Sequence, residues 1–169
     1  MVIKGLHHNA YRCRDSEETR QFYEDFLGLP LADAFPIGET KTGRKTEALH
    51  SFYQLGDGSF LAFFEVPDSP FEFIDQHDYD LHIALEVDNA DVLFNARDYL
   101  EENGIPVVFQ GRKGAGGNMA LHFCDPDGFE FELYCGMDQV GEDSRLRPQE
   151  QFHRVGTLEE AVANPLPEK

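Results

Sequence analysis

A histidine two places before an alanine opens an alternating stretch twice in this 169-residue chain, at His8-Asn9-Ala10 and at His82-Ile83-Ala84, 74 positions apart. Each copy closes on an aromatic-rich run that carries a carboxylate. In the first, Glu65 ends Phe60-Leu61-Ala62-Phe63-Phe64; in the second, Glu132 sits within Phe129-Glu130-Phe131-Glu132-Leu133-Tyr134. Two imidazoles and one or two carboxylates form a ligand set for a divalent metal, because neutral imidazole nitrogen and carboxylate oxygen together suit Fe, Mn, Ni, Co or Zn. Surface histidines with no shared task have no reason to recur at the same place in two structural copies.

The elements that must position these groups also repeat. After His8 comes a helical pattern over Glu17 to Leu27, with Phe22, Tyr23, Phe26 and Leu27 on one side and a stop at Gly28-Leu29-Pro30-Leu31. After His82 comes Asp91 to Asn103, with Val92, Leu93, Ala96 and Leu100 spaced alike and a stop at Gly104-Ile105-Pro106-Val107. Strand pairs follow, His50 to Leu55 with Phe60 to Val66, and Met119 to Cys124 with Phe129 to Cys135. They are joined by Gly56-Asp57-Gly58 and by Asp125-Pro126-Asp127-Gly128. The order is βαβββ twice, which predicts an α+β fold of two helix-covered sheet halves: residues 1–78, residues 79–137 and a polar tail over 138–169. Asp33 to Glu47 reads as a mobile excursion. In the tail, Thr157 to Val162 reads as one short helix capped by Thr157.

Strand alternation assigns the faces. Ile83, Leu85 and Val87 point under the second helix, leaving His82, Ala84 and Glu86 on the other side. Tyr11 and Cys13 belong to the core in the first copy, so His8, Ala10 and Arg12 face away. Phe129, Phe131, Leu133 and Cys135 make a core row that leaves Glu130, Glu132 and Tyr134 opposite. Glu65 is read with them, so that all four candidate ligands lie on non-core faces.

Composition narrows the remaining classes. Lys and Arg number 14 against 32 Asp and Glu, and a formal charge of −18 repels both nucleic-acid backbones and anionic lipid surfaces. No apolar run approaches the roughly 20 residues needed to span a bilayer, and the first residues lack a signal-peptide apolar core. Cys13, Cys124 and Cys135 are three in number without Cys-x-x-Cys spacing, as expected of reduced thiols in the cytoplasm. The partner expected is a small molecule, with neither nucleic acid nor membrane.

Leu6-His7-His8-Asn9-Ala10, Phe22-Tyr23-Glu24-Asp25-Phe26-Leu27-Gly28, His82-Ile83-Ala84 and Asp125-Pro126-Asp127-Gly128 through Glu132-Leu133-Tyr134 together resemble the vicinal oxygen chelate superfamily, over roughly residues 3–137. This is the group of glyoxalases, extradiol dioxygenases and the fosfomycin and bleomycin resistance proteins. The resemblance implies paired βαβββ modules forming a U-shaped mixed sheet around one metal, commonly in a homodimer. It implies metal ligands at His8, His82 and Glu132, with Glu65 at the fourth position used by glyoxalase-type members. His7 falls on the wrong strand face.

It also frames the chemistry. With Glu65 as a fourth ligand, about two of six octahedral positions stay open for the substrate's adjacent oxygens, and a glyoxalase-like lyase or isomerase follows. There the metal stabilises an enediolate and Glu132 or Glu65 is the base. Without Glu65, roughly three positions remain, enough for a catechol-like ring and dioxygen on Fe(II) in an extradiol-type dioxygenase. Resemblance to glyoxalase I makes Arg12 a substrate-binding residue, although the asparagine expected soon after the fourth ligand is absent. His122 stands where extradiol enzymes carry a tyrosine and can act as acid or base. A non-catalytic sequestering module of bleomycin-resistance type is a further alternative.

Overall fold

The computed structural model describes residues 2–74, 81–111 and 119–135. The Asp75–Asp80 linker, the glycine loop over 114–117, and the tail with its Thr157 to Val162 helix lie outside the described residues. The element order is β1 (His8–Cys13), α1 (Ser16–Arg20), β2 (Leu31–Glu39), β3 (Lys45–Gln54) and β4 (Phe60–Glu65). It continues with β5 (His82–Glu86), α2 (Ala90–Glu102), β6 (Val108–Gly111), β7 (Met119–Cys124) and β8 (Glu130–Cys135). That is βαβββ twice, as the repeat predicts. Two four-stranded sheets result, ordered β1-β4-β3-β2 and β5-β8-β7-β6.

Local chemistry starts and stops both helices where the sequence expects. Asp15 accepts the N–H groups of Glu17 and Glu18, each at 2.9 Å, and Asn89 accepts that of Val92 at 3.1 Å. Gly28 and Gly104 end the two helical segments at φ 74° and 75°, a region where a Cβ is penalised. The first helix differs from expectation in form: after Arg20 it widens into a π-helix over Gln21–Phe26, with the Leu27 N–H reaching back five residues to the Phe22 carbonyl at 2.9 Å.

A second difference concerns Asp33 to Glu47, which is no excursion. β2 and β3 form an antiparallel hairpin in which Phe35 stands opposite His50 and Ile37 opposite Ala48, and β3 starts at Lys45 rather than His50. β2 is an edge strand, and such strands tolerate polar side chains and a proline such as Pro36 because one row of backbone groups faces solvent. Its polar composition therefore marked exposure and not the lack of a strand.

The chain divides into two compact units, one holding the described residues up to His82 together with Cys124–Glu130, the other holding Ile83–Phe123 and the residues from Phe131 on. In the first unit Tyr23, Tyr53 and Phe63 are fully buried between helix and sheet, with Tyr23 and Phe63 ring centroids 4.6 Å apart. The Asp125–Gly128 turn belongs to this unit. The Tyr23 hydroxyl donates to Asp125 Oδ2 at 2.7 Å, and the other Asp125 oxygen accepts the N–H groups of Asp127 and Phe129. In the second unit Ile83, Leu93, Leu100, Leu121, Phe123 and Phe131 form the core. β5 lies beside β8, and the Val87 N–H donates to the Tyr134 carbonyl at 2.8 Å.

Candidate functional site

Directly paired residues of adjacent strands project to the same side of a sheet, so register fixes which side chains can meet. β1 runs parallel to β4 with His8 beside Phe60, Ala10 beside Ala62, Arg12 beside Phe64 and Cys13 beside Glu65. β3 runs antiparallel to β4 with His50 opposite Phe64 and Phe52 opposite Ala62. The face away from the helix therefore carries His8, His50, Phe35, Phe52, Phe60 and Phe64. Tyr11, Cys13, Leu61, Phe63 and Tyr53 occupy the helix-covered face.

Glu65 lies on that covered face, contrary to the sequence expectation. Its Oε2 accepts the Ser16 N–H at 2.9 Å at the start of α1. It is in phase with Leu61 and Phe63, a phase hidden in the sequence because every residue from Phe60 to Phe64 is apolar. The carboxylate is directed at a helix start, on the side of the sheet opposite His8.

The other candidates hold the faces expected of them. His8 is exposed at the start of β1, its Nδ1 2.7 Å from Nδ1 of His7. His82 is exposed at the start of β5, opposite buried Ile83. Glu132 lies between buried Phe131 and Leu133 and so faces away from them. His122 and Glu132 come together across β7 and β8, with Nε2 3.8 Å from Oε1 and both side chains 13% exposed. Imidazole and carboxylate are donors that fit a divalent ion. Among the described residues of one chain, however, no group of three or more His, Cys, Asp or Glu side chains is gathered as a metal cluster.

Arg12 is largely committed. Its Nη2 donates to the carbonyls of Val66 and Ser69 at 3.2 and 2.8 Å, and the guanidinium lies 5.1 Å from the Phe71 ring centroid. With Arg14, Glu65, Phe71 and Phe73 it lines a cleft of about 230 Å³ at the end of β1. Cys13 borders the same cleft, but burial pushes its thiol up to about 11, which removes it as a nucleophile.

His50 is the residue that sequence reading missed, because a Phe-rich strand reads as plain core. Only 6% exposed, it stacks on Phe64 with centroids 3.6 Å apart and lies 6.3 Å from the His8 ring. Burial lowers its pKa, opposed by a bond to the Phe63 carbonyl and aided by His8. The Nδ1 is 2.9 Å from that carbonyl, which can only accept, so the ring proton sits on Nδ1. Phase was the available signal: His50 alternates with Ser51 and Tyr53, which are core.

Known proteins agree with this architecture. Over 153 residues the chain is 28% identical to the metallothiol transferase FosB of Bacillus licheniformis, covering 89% of each chain. A Glu-to-Gln mutant of the fosfomycin resistance protein FosX from Listeria monocytogenes, solved with Mn(II) and 1S,2S-dihydroxypropylphosphonic acid, superposes with a TM-score of 0.60 at 17% identity, over 83% of this chain and 98% of that one. A glyoxylase/bleomycin resistance protein/dioxygenase domain from Frankia sp. EAN1pec gives 0.62 at 18% identity, over 80% and 93%. Those two likenesses concern the fold. The family model of the Glyoxalase/Bleomycin resistance protein/Dioxygenase superfamily matches residues 5–133, and with the duplicated βαβββ order this establishes that the chain belongs to that superfamily.

Proposed function

We propose that the chain is a divalent-metal-dependent enzyme of the vicinal oxygen chelate type, with His8, His82 and Glu132 as metal ligands and His122 as an acid or base beside Glu132. The observation that carries this reading is the placement of His8 and His82 at the starts of β1 and β5, both on faces turned away from the helix-covered cores. When bound, the ion would act as a Lewis acid toward adjacent oxygens of a small substrate. The chain's own residues would do the rest. Glu132 is held by its strand between two core side chains, and His122 stands close enough to hand a proton to the same region.

With Glu65 on the helix side, the supported ligand set has three members and leaves roughly three positions of an octahedral ion to substrate and co-substrate. Extradiol-type oxygenation, with dioxygen as co-substrate, fits that count better than glyoxalase-type isomerisation with four protein ligands. A thiol transfer is the second reading, favoured by the 28% identity to a metallothiol transferase over most of both chains. Homodimerisation and a cytoplasmic setting belong to the same proposal. A second copy could supply ligands to a shared site, and the cysteines are free thiols.

Elemental analysis of the full chain purified without chelator tests the reading. About one divalent ion per chain is expected, lost on substituting His8, His82 or Glu132. A chain that takes up no metal on soaking overturns it. Anaerobic Fe(II) loading with a catechol and then oxygen separates the reactions, a yellow ring-cleavage product marking oxygenation.

A further inference from the structure

The cleft at the end of β1 has three charged residues in its lining, Arg12, Arg14 and Glu65. Each guanidinium lies on a ring of the segment that follows β4: Arg12 is 5.1 Å from the Phe71 centroid and Arg14 is 4.4 Å from that of Phe73. The two rings meet edge to face, their centroids 4.8 Å apart. The arginines are committed to different degrees. Arg12 gives Nη2 to the Val66 and Ser69 carbonyls and so forms a wall. Arg14 gives Nη1 to the Pro126 carbonyl at 2.7 Å, while its side chain is 47% exposed and its Nε and Nη2 have no partner among the described residues. The buried Nε of Arg12 is likewise without a hydrogen-bond partner among them. The lining thus holds unused N–H donors. It also sets two positive charges against the single carboxylate of Glu65, whose Oε2 already accepts the Ser16 N–H. That balance suits one further negative charge and disfavours a dianion such as phosphate. Half-exposed Phe71, with Val66 and Pro67, supplies apolar surface beside the charges.

From these observations we infer that the cleft binds a small monocarboxylate, its oxygens accepting from Arg14 and its apolar body lying against Phe71, Val66 and Pro67. The site goes beyond the proposed function and does not depend on it. From His8 to Cys13 the strand advances on the order of 15 Å at roughly 3.3 Å per residue, so the carboxylate lies at the opposite end of β1 from the proposed metal ligand.

Asp127 is the internal rival for Arg14. Its Oδ1 accepts the Arg14 backbone N–H at 3.0 Å and lies 3.6 Å from Nη1. Besides Arg14 it is faced by Cys13 from β1, by Glu18 and Tyr23 from the helical segment, and by Asp125 in its own turn. Burial, aided by Asp125 and Glu18 and opposed by Arg14, pushes its pKa up to about 6. Protonated, Asp127 no longer balances the guanidinium charge, which is left to the ligand. Affinity for a carboxylate therefore rises as pH falls through about 6.

The test titrates the full, metal-free chain with benzoate, which stays ionised from pH 5.5 to 7.5, and reads binding by saturation-transfer NMR on the benzoate ring. Affinity at pH 5.5 should be several-fold tighter than at 7.5. Arg14→Gln should weaken it about tenfold at pH 5.5, the worth of one charge-assisted contact. Asp127→Asn, which keeps an acceptor for the Arg14 N–H, should bind at pH 7.5 as tightly as the parent does at 5.5 and lose the pH dependence. Benzamide, of the same shape without the charge, should not compete, and phosphate should displace benzoate only weakly. Unchanged affinity in a folded Arg14→Gln chain, or displacement by benzamide, overturns the site. Phosphate competing as well as benzoate overturns the monocarboxylate class. Should Arg14→Gln fail to fold, Asp127→Asn decides, and a pH profile identical to the parent's refutes the proposal.

Discussion

Glu65 stands beside Cys13 in the parallel register of β4 and β1, and its carboxylate receives the Ser16 N–H at 2.9 Å. A carboxylate at the start of a helix supports it both as an acceptor and as a negative charge. Glu65→Ala should therefore lower stability by about 1 kcal/mol in urea denaturation while leaving bound metal unchanged in elemental analysis. Loss of metal in that variant would restore the four-ligand arrangement.

Asp127 responds to pH in the opposite sense to an ordinary surface carboxylate. Burial, opposed by the Arg14 N–H at 3.0 Å and aided by neighbouring Asp125, pushes it up to about 6. A folded-state pKa above the unfolded one means the fold prefers the protonated acid. This contribution is complete below pH 4 and is lost as pH rises through about 6. Asp127→Asn, which keeps an oxygen for the Arg14 N–H, should gain stability relative to the parent as pH goes from 4 to 7, by on the order of 2 kcal/mol. Thermal melts of both chains at each pH check the difference, and parallel curves would refute it.

The fully buried Tyr23 hydroxyl and Asp125 Oδ2 are 2.7 Å apart. Tyr23→Phe keeps the ring and removes one donor to a buried carboxyl, at an expected cost of about 1–3 kcal/mol. The urea midpoint should fall with the slope unchanged.

His122 lies 3.8 Å from Glu132, within ion-pair range but beyond a direct hydrogen bond. Groups just outside a metal's ligands typically alter affinity 10–100-fold when removed. His122→Ala should weaken metal binding by about tenfold in a chelator competition, whereas Glu132→Gln should abolish it. Equal losses in the two variants would make His122 a ligand in its own right.

Much of this was legible in the amino-acid order, and the gaps have physical causes. The faces of β1, β5 and β8 follow from alternation, since Cys13, Ile83, Phe131 and Leu133 are apolar where their neighbours are not. β4 offers no such contrast: five consecutive apolar residues conceal its phase, and only the pairing of Glu65 with Cys13 shows that it shares the helix-covered face. β2 was lost to its own exposure, because an edge strand with Pro36 carries the composition of a loop. His50 disappeared among phenylalanines, since pairing partners decide whether a residue in an aromatic strand faces core or opening, and those partners are distant in sequence.

The Asp125–Gly128 turn, encoded within the second repeat but housed in the first compact unit, bears on where the chain can be cut. A fragment stopping at His82 would lack the acceptor for a phenol sealed at zero exposure, along with the carboxyl that takes the Arg14 amide. The two copies look separable on paper, yet the earlier one is finished only after ribosomes have made most of the later one.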